Sequence, residues 1–190
     1  MGLIVRAAIF TLSLFWCTTV TAGDAPLRSD GIHTQPWMKS MTFLDFKEDL
    51  AEAKAKGKGL VMLFEQVGCG ACERLHVENF SIPELVKTVT DNYEMIQINM
   101  FGDNELTDFD GQVMSERELA QKMLVNFSPT TIFYDENGKE IFRVPGFLKG
   151  YFYQSAFEYV ADKGPQNKLL FPRWLKAKSD RLKAEGKTPG

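Results

Sequence analysis

Cysteine is scarce in this chain, with Cys17, Cys69 and Cys72 the three among 190 residues. A disulfide-stapled scaffold is therefore excluded. Charge of one sign is not in excess either. Lys+Arg 22 against Asp+Glu 25 leave a net charge of -3, so no overall electrostatic footprint points to a nucleic acid partner. The 15 glycines and 8 prolines follow no period, which excludes collagen-like and low-complexity architecture, and no self-similar repeat of solenoid length occurs. What remains is a composition of 44% hydrophobic and 25% charged residues, that of an ordinary globular protein with room for one domain and appendages.

The first apolar run has no second to match it. Met1 to Arg6 carries one positive charge, Ala7 to Val20 is uncharged, and Val20-Thr21-Ala22 offers a small residue at a cut. These are the three regions of a secretory signal peptide, too short for a comfortable membrane span. Residues 1–22 are expected to be removed after Ala22. An uncleaved anchor lacks a flanking basic cluster, and bulky Trp16 before Cys17 argues against lipidation. Cleavage leaves Cys69 and Cys72, separated by two residues. A bond across so short a loop constrains the unfolded chain little, so the pair is expected to be chemical rather than architectural.

Residues 23–41 are polar, with isolated His33 and Trp37, and read as an extended N-terminal leader. Asp45 and Glu48 then open a helix near 46–56 that Gly57 closes. Leu60 to Phe64 is a short apolar run, predicting a strand buried on both faces that delivers the chain to Cys69. Helix is expected from Ala71 to about Asn79 and again from a Ser81 cap. Tyr93 to Asn99 alternates as a strand, and the acidic stretch Asp103 to Asp110 predicts a turn or small hairpin outside the core. Ser115 and Glu118 open another helix, to about Val125. Thr130–Tyr134 and Glu140–Val144 flank an Asn137-Gly138 hairpin turn, and Tyr151 to Lys163 closes the domain as a helix. The first half is a βαβ unit and the last strand pair is antiparallel. An α/β fold with a mixed four-stranded sheet and helices on both faces results.

Val67-Gly68-Cys69-Gly70-Ala71-Cys72 lies where the buried strand ends and a helix begins. Unpaired backbone N–H groups and the positive end of the helix dipole stabilise a thiolate at that place. Cys69 is the expected attacking thiol, and Cys72, one turn inside, the resolving one.

With Ser128-Pro129-Thr130 ahead of the hairpin, these features resemble the thioredoxin superfamily over residues 42–164. The resemblance implies a cis proline at Pro129 beside the cysteines, and substrate contacts at Gly70, Ala71, Ser128 and Pro129. Leu63-Phe64-Glu65-Gln66, Glu73-Arg74-Leu75-His76 and the insertion Gly102-Asp103 through Thr107-Asp108-Phe109-Asp110-Gly111 further resemble SoxW-type periplasmic thioredoxins associated with bacterial sulfur oxidation. That likeness implies a periplasmic location, a membrane thiol electron donor and disulfide-containing periplasmic proteins as substrates. The chain departs from the usual thioredoxin in having Gly68 rather than Trp before the first cysteine and Gly70-Ala71 rather than Gly-Pro between the two. Leu63 stands where many thioredoxins bury an Asp.

Two residues are candidates for the missing proton carrier. His76 is four residues after Cys72, and helical spacing places it on the same face, either as an acid/base or as a packing histidine. Glu65 lies two residues beyond Leu63 on the same strand face, although a strand-end carboxylate is expected to be exposed. Cys69, Cys72 and His76, with His33 folded over, would make a soft-metal set, but structural zinc needs four clear ligands, so no metal is expected. Asp108, Asp110 and Gly111 echo part of a calcium loop without its remaining positions, and a solvated turn is expected. Residues 165–190 form a basic tail whose helix either touches an anionic membrane peripherally or docks with a solvated face.

The sequence therefore predicts an exported thiol-disulfide oxidoreductase that reduces protein disulfides, with no dissociable cofactor. An oxidant or isomerase, or a metal-binding thiol chaperone, is the alternative.

Overall fold

A computed structural model of the chain describes residues 25–39 and 44–189. The signal-peptide expectation and both ends of the 23–41 leader lie outside the described residues. No described helix is long and apolar enough to cross a membrane.

Strand β1 (Gly59–Glu65) is central. It pairs in parallel with β2 (Tyr93–Asn99) and antiparallel with β5 (Thr130–Tyr134), which pairs antiparallel with β6 (Glu140–Pro145). The sheet order is β2-β1-β5-β6. Because β1 and β2 run together and β5 runs back, the ends of β1 and β2 and the start of β5 share one edge. The Cys69 loop, the loop after Asn99 and the Ser128-Pro129 turn all lie there.

Alternation along β1 divides the core. Val61 and Leu63 face one layer, with Leu75, Leu85, Phe133, Tyr153 and Phe157, while Leu60, Met62 and Phe64 face the other, with Phe46, Ile96, Ile98 and Leu119. The first layer is covered by α2 (Gly70–Arg74), α3 (Pro83–Asn92) and α5 (Gly150–Ala161), the second by α1 (Phe46–Ala55) and α4 (Glu116–Lys122). Helix α1 is capped by Asp45, which accepts from Lys47 N–H and Glu48 N–H, and α4 carries a reciprocal Ser115/Glu118 capping box.

Several expectations need correction. The helix after Cys69 is α only to Arg74 and widens to a π turn over Leu75–Asn79, closed by Phe80 N–H donating to Leu75 C=O at 3.1 Å. Ser81 does not cap α3. Its hydroxyl donates back to Glu78 C=O, and Ile82 precedes Pro83 at the helix start. The acidic hairpin, β3 (Glu105–Thr107) with β4 (Val113–Ser115), is not wholly outside the core, since Leu106 is buried in the second layer. Asp108 is buried rather than solvated. It accepts from Asp110 N–H and Gln112 N–H and pairs with Lys122. The tail helix α6 (Phe171–Ala184) packs Phe171, Trp174 and Leu175 against the first layer, and Trp174 Nε1 donates to Asp162 at 3.0 Å.

Candidate active site

Gly68 adopts φ +71, a left-handed turn that an L side chain resists. It turns the chain off β1 so that Cys69 becomes the N-cap of α2. Cys69 and Cys72 are joined as a disulfide with Cα atoms 5.2 Å apart. Cys69 Sγ accepts from Cys72 N–H at 3.0 Å and from Ser128 Oγ at 3.3 Å. Cys69 retains 7% exposure, whereas Cys72 has none. The cysteine that keeps some exposure is thus the one whose sulfur is held by donors that favour negative charge. The Ser128-Pro129 peptide bond is cis, and Pro129 C=O is taken by Gly146 N–H. Gly70 and Ala71 form the first turn of α2 at the exposed side of the disulfide. Exposed Val67, Phe101 and Phe127 rise from the three loops that share this edge.

Glu65 overturns its expectation of exposure. It is 0% exposed, and its oxygens lie 3.1 and 3.2 Å from His76 Nε2, itself on a residue only 2% exposed. The imidazole of His76 is directed to β1. Both ring nitrogens are occupied there, Nε2 by Glu65 and Nδ1 by Gln35 Nε2 at 3.4 Å. His76 is therefore not a lone base beside Cys72 but half of a buried pair.

Sequence reasoning missed the residues that complete the pair. Gln97 on β2 donates from Nε2 to Glu65 Oε2 at 2.6 Å and to His33 C=O at 2.6 Å, and its Oε1 accepts from Thr34 Oγ1 at 2.7 Å. The only signal available was a polar residue between Ile96 and Ile98. Tyr153, from α5, closes the other side. Burial pushes its hydroxyl well above the ordinary tyrosine range, a hydrogen bond with Thr131 opposes this, and Glu65 adds to it.

The metal set does not assemble. Among the described residues no cluster of three or more His, Cys, Asp or Glu side chains could hold an ion. His33 instead stacks at a tilt 5.8 Å from the His76 ring. At the calcium-like turn, the Lys122 ammonium sits against Asp108 and Asp110.

Comparison with known proteins agrees with this geometry. The thioredoxin-like domain family matches residues 46–161. No curated protein matches. Among solved structures, a thioredoxin-fold protein from Helicobacter pylori is 24% identical, with 65% of this chain and 86% of that one covered at a TM-score of 0.55. A thioredoxin from Thermus thermophilus is 21% identical over 66% and 91% of the two chains, TM-score 0.51. A putative disulphide-isomerase from Bacteroides thetaiotaomicron is 20% identical over 70% and 96%, TM-score 0.52. With the family matched across the sheet and both cysteines, and the cysteines bonded at the start of α2, the chain belongs to the thioredoxin-like domain family and is a thiol-disulfide oxidoreductase.

Proposed function

We propose that the protein reduces disulfides of exported proteins, cycling between the bonded pair and a dithiol. The observation that carries the direction of attack is the asymmetry of the pair, with Cys69 keeping slight exposure and held by two donors and Cys72 sealed. In the reduced protein the Cys69 thiolate attacks a substrate disulfide, forming a mixed disulfide and releasing one substrate sulfur, which takes up a proton. Cys72 then gives its proton to the Glu65–His76 pair and attacks Cys69 Sγ. The Cys69–Cys72 bond forms, and the second substrate sulfur leaves as a thiol. Two electrons pass to the substrate, and a thiol donor restores the dithiol.

The rim of Val67, Phe101 and Phe127 supports an extended apolar polypeptide segment as the docking partner, laid along Ser128 and Pro129 and over Gly70 and Ala71. The apolar stretch Ala7 to Val20 supports export to the periplasm. The reducing direction, the membrane thiol donor and service to sulfur oxidation rest on the SoxW-type resemblance, and peripheral membrane contact rests on the basic tail.

The test is trapping. Cys72→Ser should accumulate a covalent adduct with a disulfide-bearing protein, and Cys69→Ser should not. Equal trapping by both overturns the assignment. Equilibration of the pair against glutathione tests direction, since a poise well below the periplasmic oxidants is required of a reductant.

A further inference from the structure

The segment before the domain packs against the site. Residues 25–39 lie along the outer edge of β2, with Arg28 donating to Gln97 C=O at 3.3 Å, Lys39 N–H donating to Met95 C=O at 3.3 Å, and Ile32 and Met38 buried. From this segment Thr34 and His33 fix the Gln97 amide in one orientation. Turned over, the amide oxygen would face the His33 carbonyl oxygen and the Glu65 carboxyl, acceptor against acceptor, and both bonds would be lost. As it stands, both Nε2 hydrogens and the Oε1 acceptor are used. One N–H is thus aimed at Glu65 Oε2, at 2.6 Å.

We propose that Gln97, oriented by Thr34, is a positioning residue that sets the pH at which the Glu65–His76 pair takes up its proton. This rests on the reading that the pair receives the Cys72 proton. Among the described residues, the titratable or charged groups that face it from the elements packed against it are Tyr153 on α5, the His33 ring 5.8 Å from His76, and the Arg28–Asp30 ion pair beside β2.

The experiment follows the resolving step by single-turnover kinetics from pH 5 to 9, with initial attack by Cys69 measured separately. Gln97→Leu should move the pH break of the resolving step upward by about one unit, the size expected for one lost hydrogen bond to a charged group. Thr34→Val should move it less in the same direction, and Thr34→Ser should restore the original break. Initial attack should change less than the resolving step in each. Glu65→Gln should abolish the break, which reports on the underlying reading. A break lost in Glu65→Gln but unmoved in Gln97→Leu and Thr34→Val overturns the clamp and leaves the pair in its role. A break unmoved in Glu65→Gln overturns both. Should Gln97→Leu not fold, the Thr34→Val and Thr34→Ser comparison decides alone.

Discussion

Ser128 Oγ stands 3.3 Å from Cys69 Sγ across 59 residues of sequence. The turn before β5 therefore supplies a hydroxyl donor to the sulfur at the start of α2. In the dithiol state that donor acts on a thiolate and is worth more than between neutral groups.

Ser128→Ala should consequently lower the thiolate fraction of Cys69 near neutrality. A loss of about 1 kcal/mol corresponds to roughly five-fold slower alkylation of the reduced protein. The difference should vanish at alkaline pH, where the thiol is ionised regardless. An unchanged alkylation profile would show that the Cys72 N–H and the helix start suffice.

The sheet and most helices were legible in the sequence because local signals and packing agree. The apolar run Leu60–Phe64, the alternation of Tyr93–Asn99 and the Asn137-Gly138 turn each have one good solution, and each element begins or ends within a few residues of its expected place. The pair of cysteines was legible for the same reason, as a strand end and a helix start in succession. Glu65 and His76 were found as candidates, but the burial of Glu65 was not foreseen. Exposure of a strand-end carboxylate depends on what covers it, and here the cover is His76, Gln97 and a leader that local pattern gave no cause to fold back. The π turn likewise has no sequence mark that spacing rules read.

Lys178 is almost fully buried, with Nζ 2.8 Å from Ser155 Oγ, 2.7 Å from Glu158 Oε2 and 4.7 Å from the centre of the Tyr151 ring. It ties α6 to α5. Lys178→Ala leaves Ser155 and Glu158 without their cation and should cost about 1–3 kcal/mol. Hydrogen exchange should show the loss concentrated in Phe171–Ala184, while disulfide reduction persists, because the polar partners of Lys178 are Ser155 and Glu158 and not the cysteines, Glu65 or His76. Uniform exchange across the sheet would mean that α6 folds as one unit with the core.

The Asp108 turn predicts a loss of stability in acid. Burial pushes the Asp108 carboxyl up, but Lys122 and the N–H groups of Gln112 and Asp110 outweigh it and hold the group below the usual carboxylate range. Its folded form therefore binds a proton less readily than its unfolded form. The stabilisation is present above the ordinary aspartate range near 3.9 and drains away as pH falls through the lower folded value. Asp108→Ala should cost about 1–3 kcal/mol at pH 7 and progressively less in acid, read by urea unfolding at a series of pH values. A penalty independent of pH would place the cost in the turn's shape rather than its charge.

Glu116 predicts the opposite slope. It is fully buried at the start of α4, and burial pushes its carboxyl above the usual range, against the Asn99 N–H at 3.0 Å and the Asn104 amide at 2.9 Å that lower it. The folded protein thus holds this proton more tightly than the unfolded chain does. Stability from this group is greatest below the ordinary glutamate range and falls as pH rises towards the folded value, where the buried charge must form. Glu116→Gln removes that charge while its oxygen keeps the Asn99 N–H, so its stability relative to the parent should improve as pH rises through the interval and level off above it. The same carboxyl explains Gly102, where an added Cβ would run into Glu116 Oε2. Gly102→Ala should cost about 1–3 kcal/mol, and Glu116→Ala in the same chain should recover part of it by vacating the space. Urea unfolding of the four chains at pH 4.5 and 7.5 measures both effects. Parallel stabilities of the parent and Glu116→Gln at the two pH values would show that Asn99 and Asn104 fully compensate the buried carboxylate.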